Sequence, residues 1–130
     1  MALDSEIVID ASAALCFLQR ERGWEGFLNF APFGVMCVVN YAEVVQRLLR
    51  YDPGGEARAE ALTRFGLRLI DAKLDLAVAA AKLEAPTRSQ GVSLGDRFCL
   101  AFAMERKAAV LTTDKPWKHL GLPIEIEFLR

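Results

Sequence analysis

Two apolar patterns alternate along this chain. Short, nearly unbroken apolar runs at Ile7–Asp10 (IVID), Gly34–Val39 (GVMCVV), Leu67–Ile70 (LRLI) and Ala108–Thr113 (AAVLTT) are too brief for helices and read as buried strands. Between them, apolar positions recur at helical spacing. Ala13, Leu15, Phe17 and Leu18 follow the first run, and Tyr41, Val44, Val45, Leu48 and Leu49 follow the second, opposite Glu43, Gln46, Arg47 and Arg50. After Gly23, WEGFLNFA suggests a further short helix, and DPGG at Asp52–Gly55 forces a turn. The alanine-rich Glu56–Phe65 and the segment Leu74–Leu83 favour helix, the second stopped or kinked by Pro86. Ser93 opens a helix that runs to about Lys107, and PIEIEFL at Pro123–Leu129 supplies a short edge strand. Strands alternating with helices predict an α/β fold, a mainly parallel sheet of four to five strands covered on both faces. With no internal repeat or linker, residues 1–130 are expected to form a single domain.

The composition, 53% hydrophobic and 25% charged, is that of an ordinary globular protein and leaves no segment expected to stay disordered. A formal net charge of −1 excludes an overall basic excess, so any nucleic-acid contact has to come from a local basic rim. MALDSEIVID carries acids where a signal peptide carries basic residues, and no apolar run approaches the roughly 18 residues of a membrane helix. A cytoplasmic protein without membrane association is expected. Cys16, Cys37 and Cys99 are far apart in apolar stretches, which predicts buried, reduced thiols rather than a disulfide or zinc framework.

In a parallel α/β sheet, ligands sit beyond the carboxyl ends of the strands. Four acids fall there: Asp10 after the first strand, Glu43 after the second, Asp96 at the start of a helix and Asp114 after the fourth strand. Each alone also has a structural reading. Glu43 follows Asn40 by three and Asp96 follows Ser93 by three, the spacing of a capping box, which makes Asn40 and Ser93 the expected N-caps. Asp10 suits a helix cap and Asp114 the turn before Pro116. Asp96, however, shares a helical face with Cys99, Leu100 and Ala103, where an unpaired charge is costly. Four carboxylates in one cleft repel one another unless a cation is bound, and all-oxygen donors suit Mg²⁺ or Mn²⁺. Such an ion fits phosphodiester hydrolysis. No Gly-x-Ser-x-Gly elbow or phosphate-binding Gly-x-x-x-x-Gly-Lys-Ser/Thr loop competes with that reading, and the single histidine, His119, reads as a surface or turn residue.

VIDASAAL around Asp10, VNYAEV around Glu43, SLGDRFCLAFA around Asp96 and LTTDKPW around Asp114 resemble, in order and spacing, the four acidic motifs of PIN-domain ribonucleases. The match is closest to the VapC family of toxins in type II toxin-antitoxin systems. The resemblance implies a three-layer α/β/α sandwich, a Mg²⁺- or Mn²⁺-dependent endoribonuclease acting on RNA, and a homodimer. It also implies a cognate antitoxin partner, through which alone operator DNA would be bound. It makes Asp10, Glu43, Asp96 and Asp114 the metal-site acids, with Ser12, Asn40 and Thr112 in supporting positions. Arg97, Lys115 and Lys118 become candidate RNA phosphate contacts, and Trp117 a candidate base-stacking surface, against the alternatives of solvated charge and core aromatic. Trp24 with Phe27, Phe30 and Phe33 reads as core or as a groove for a partner helix. A rival reading is a PIN-like binding module with vestigial nuclease activity, whose acidic pocket receives a basic partner segment.

Overall fold

The computed structural model describes residues 5–130. Five strands, β1 (Ile7–Ile9), β2 (Gly34–Cys37), β3 (Arg68–Ile70), β4 (Ala109–Thr112) and β5 (Ile126–Phe128), pair in the order β3-β2-β1-β4-β5. Every pairing is parallel, including that of the edge strand β5. Eight α-helical segments lie among the described residues: α1 (Ala11–Leu18), α2 (Phe27–Phe30), α3 (Val38–Leu49), α4 (Gly55–Ala59), α5 (Ala61–Arg64), α6 (Leu74–Lys82), α7 (Glu84–Thr87) and α8 (Leu94–Arg106).

Successive side chains of a strand point to opposite faces, and the central strands use both. Ile7, Ile9, Met36 and Leu111 pack on one side with Phe17, Phe27, Val44, Leu48 and Leu62. Val8, Val35, Cys37 and Val110 pack on the other with Leu76, Ala80, Leu100, Phe102 and Trp117. This produces the three-layer α/β/α sandwich. The three cysteines are free and buried. Among the described residues, no helix is long and apolar enough to cross a membrane.

Three elements differ from the sequence reading. β2 ends at Cys37 and α3 begins at Val38, so Asn40 lies inside the first turn of α3 and not at its cap. The segment Glu56–Phe65 forms two short helices, α4 and α5, which meet at Glu60. Helix α6 ends at Lys82, and Pro86 falls in the first turn of α7, where a missing N–H breaks no helical hydrogen bond. In the DPGG turn, Gly55 abuts the Leu48 and Leu49 backbone so closely that a Cβ would meet it at 2.9 Å, which lets α4 fold back on α3.

At the amino-terminal edge of the sheet, Glu6 accepts hydrogen bonds from Arg106 (2.7 and 3.0 Å) and from Arg68 (2.6 Å), joining α8 and β3 to the start of β1. The Arg106 bonds are the main reason its pKa falls to about 2. Asp10, Glu43, Asp96 and Asp114 lie at the opposite edge.

Candidate active site

Because β1 and β4 are parallel neighbours with Ile9 opposite Leu111, the residues that follow them emerge side by side. The Asp10 N–H extends that ladder to the Leu111 carbonyl at 2.9 Å. Asp10 occupies the backbone N-cap position of α1, yet its side chain makes no capping bond. The Ser12 hydroxyl (2.6 Å) and the Thr112 hydroxyl (2.8 Å) both donate to its Oδ2 instead. Each hydroxyl has one proton, so their 3.2 Å separation is a packing contact and not a further donated bond. Each oxygen in turn accepts a backbone N–H, Ser12 from Thr113 and Thr112 from Asp114, both at 3.0 Å. Thr112 therefore holds the carboxylate of Asp10 and the backbone of Asp114.

Asp96 completes a capping box with Ser93: its N–H donates to the serine hydroxyl at 3.1 Å, and its Oδ2 accepts the Ser93 N–H at 3.0 Å. Oδ1 stays outside the cap. The corresponding box at Asn40 and Glu43 does not form. Asn40 is 1% exposed and donates through Nδ2 to Glu43 Oε1 at 2.7 Å and to the Gly95 carbonyl at 2.9 Å. Its Oδ1 is buried without a partner.

Asp10, Glu43, Asp96 and Asp114 line one cavity of about 360 Å³, together with Ser12 and Thr113. Burial pushes the pKa of Asp10 up to about 6 against the two hydroxyl bonds, and the charges of Asp96 and Glu43 add to the rise. Glu43 is raised by burial and by Asp96, with the Asn40 bond opposing. Burial and then Asp96 raise Asp114. The charge of Asp96 thus acts on all three other acids. Among the described residues, none of the four is a partner in an ion pair.

Oxygen-only donors, mutual repulsion and the lack of a paired protein cation fit a hard divalent ion. Among the described residues, no three carboxylate, thiol or imidazole groups already surround one point. The fit is therefore to an ion of the Mg²⁺ type, which takes one or two carboxylates directly and keeps several waters.

The other candidate residues lie outside this cavity. Arg97 is half-buried, and its Nε donates to the Thr87 hydroxyl at 3.1 Å. Lys115 is exposed, with Nζ 5.0 Å from the centre of the Phe128 ring, and Lys118 and His119 are also exposed. Trp117 is 3% exposed within the core, which corrects the stacking proposal, since its ring offers no free face to a base. Phe27 is fully buried and stacks on Phe17 at 4.6 Å, while Trp24 lies beneath the Arg20 guanidinium at 4.2 Å. Two cations missed in the sequence line the acid cavity: Arg47 and Arg130. Arg47 had a signal, standing four residues beyond Glu43 on the polar side of α3. Arg130 had none, because a fold across the sheet brings it to Glu21 and to the Arg22 carbonyl, both at 3.3 Å.

A parallel sheet with carboxylates from four separate elements gathered past its carboxyl edge defines a class, the α/β proteins with an oxygen-donor pocket suited to hard cations. The sequence matches the PIN domain family model over residues 7–122, and the chain belongs to that family. A toxin-antitoxin complex from Klebsiella pneumoniae superposes with a TM-score of 0.76 at 17% identity, covering 96% of this chain and 98% of that one. VapBC2 from Rickettsia felis, bound to a DNA fragment from its promoter, gives 0.73 at 14%, covering 94% and 97%. VapC20 from Mycobacterium tuberculosis, described as a sarcin-ricin loop cleaving toxin, gives 0.72 at 16%, covering 90% and 96%. The sequence has no match among curated proteins.

Proposed function

We propose that this protein is a Mg²⁺- or Mn²⁺-dependent endoribonuclease that hydrolyses RNA phosphodiester bonds as the toxin of a VapBC-type pair. The observation that carries this reading is the convergence of Asp10, Glu43, Asp96 and Asp114 on one cavity without a paired protein cation. When bound there, a divalent ion supplies positive charge to phosphate oxygens and acidifies a water molecule. Asp10 is fixed by Ser12 and Thr112 through Oδ2, which would leave Oδ1 to hold the ion. Asp96 is fixed in the same way by its cap through Oδ2. Glu43 and Asp114, both raised in pKa by burial and by Asp96, would orient water beside such an ion, and one of the two carboxylates would accept the proton that water gives up. Arg47 and Arg130 bind the RNA backbone phosphate at the cavity wall, with Lys115 and Lys118 as outer contacts.

The likeness to toxin-antitoxin complexes supports a cognate antitoxin partner; the reading extends this to a cytoplasmic homodimer that meets operator DNA only through that antitoxin. A groove floored by Phe17, Leu18, Ala61 and Phe65 and edged by Arg20, Arg58 and Arg64 suits an amphipathic partner segment. The binding-module reading draws on the fact that no three acids among the described residues are gathered round one point.

Cleavage of total RNA with and without added Mg²⁺ separates the two readings. The wild type cuts, and Asp10→Asn and Asp96→Asn each lose about 100-fold or more of the rate while still melting as a cooperative fold. Wild-type cleavage by the purified double variant would reject the nuclease assignment.

A further inference from the structure

Helices α3 and α8 meet near their amino-terminal ends through two residues that do not line the acid cavity. Asn40 bridges the contact, with one Nδ2 donating both to Glu43 Oε1 (2.7 Å) and to the backbone carbonyl of Gly95 (2.9 Å). Gly95, the second residue of α8, makes room for the acid itself. A Cβ at Gly95 would lie 2.6 Å from Glu43 Cδ, 2.8 Å from Oε1 and nearer still to Oε2, distances that real Cβ atoms essentially never show.

Backbone conformation does not explain this glycine. Gly23, Gly66, Gly91 and Gly121 have positive φ, whereas Gly95 does not, so an alanine would suit its backbone and its helix better. Fold stability alone does not explain Asn40 either, since it leaves Oδ1 buried and unpartnered. Both choices make sense when the position of the Glu43 carboxylate is the quantity being held. We infer that Asn40 and Gly95 are positioning residues that clamp Glu43 against the start of α8 and so set its distance from Asp96, the next residue along that helix. The inference deepens the metal-dependent reading of the cavity and rests on it.

The test uses Gly95→Ala alone and combined with Glu43→Asp, whose carboxylate is one methylene shorter and clears the new methyl group. In the metal-free protein, the Asn40 side-chain amide resonance in nitrogen-resolved NMR shifts in Gly95→Ala and in Glu43→Gln. Mn²⁺ affinity, read by electron paramagnetic resonance without RNA, falls about 10- to 100-fold in Gly95→Ala. It recovers several-fold in the double variant, although Glu43→Asp by itself weakens binding. Wild-type Mn²⁺ affinity in Gly95→Ala together with an unmoved Asn40 resonance overturns the inference. If the wild type binds no Mn²⁺, the metal reading fails, and the clamp is then decided by the Asn40 resonance: a shift in Glu43→Gln supports it and no shift overturns it. If Gly95→Ala does not fold, Asn40→Ala replaces it. That change then weakens Mn²⁺ binding in the wild-type background and adds nothing to Glu43→Gln, and additive losses overturn the clamp.

Discussion

Asp10 is 3% exposed and held by two neutral hydroxyls, and those bonds do not offset its burial beside two other acids. Its pKa rises from 3.8 to about 6 in the folded protein, so the fold favours the protonated form. The associated stability is fully present below about pH 4 and is lost as pH rises through about 6. Glu43 and Asp114 act in the same direction, whereas Glu6, lowered to about 2, loses its contribution only as pH falls. Metal-free protein should therefore lose stability between pH 4 and pH 6, and Asp10→Asn should be more stable than wild type at pH 8. A shift of this size corresponds to roughly 3 kcal/mol at most. Urea midpoints in chelator at the two pH values measure it. A wild type that is more stable than Asp10→Asn at pH 8 without metal would mean that the carboxylate is compensated by the protein itself. The identities of these acids were legible in the four motifs. Asn40 was misread because its capping-box spacing matched that of Ser93. Ser93 follows a turn containing Gly91, but Asn40 follows Val38 and Val39, with no residue to stop the helix from starting at the strand end.

Among the elements, α8 links the core, the acid cavity and the opposite edge of the sheet. Its apolar side buries Cys99, Leu100, Phe102 and Ala103 against the sheet, its first turn presents Asp96, and its last turn gives Arg106 to Glu6. The Ser93 cap joins stability to the site, because the carboxylate that closes the capping box is also a cavity acid. Ser93→Ala removes the acceptor of the Asp96 N–H but keeps the backbone N–H that holds its Oδ2. It should therefore cost about 1 kcal/mol of stability and weaken RNA cleavage only through loosening of the first turn that presents Asp96. Chemical denaturation and cleavage rates on the same preparation test this, and an unchanged rate with reduced stability would limit the cap to a structural role. Periodicity made the long helices and the buried strands readable. It missed the break within Glu56–Phe65 because alanine favours helix throughout that segment, and packing on α3 decides where the chain bends.

For the whole molecule, the order β3-β2-β1-β4-β5 assembles the candidate site, since it places the ends of β1 and β4 together and joins Asp10 to Thr112 across 102 residues. Alternation of strands and helices predicted parallel layers. It did not specify strand order, and only the resemblance in the motifs implied which loops would meet. Arg130 shows the limit of local reading, because it reaches the cavity through β5 and the tail beyond it. Anomalous diffraction from crystals grown with Mn²⁺ tests the convergence of the acids most directly. The expected result is a peak in the acid cavity, about 2.2 Å from a carboxylate oxygen of Asp10 or Asp96 and surrounded by waters. Full-occupancy Mn²⁺ elsewhere on the protein, with none among the four acids, would contradict it.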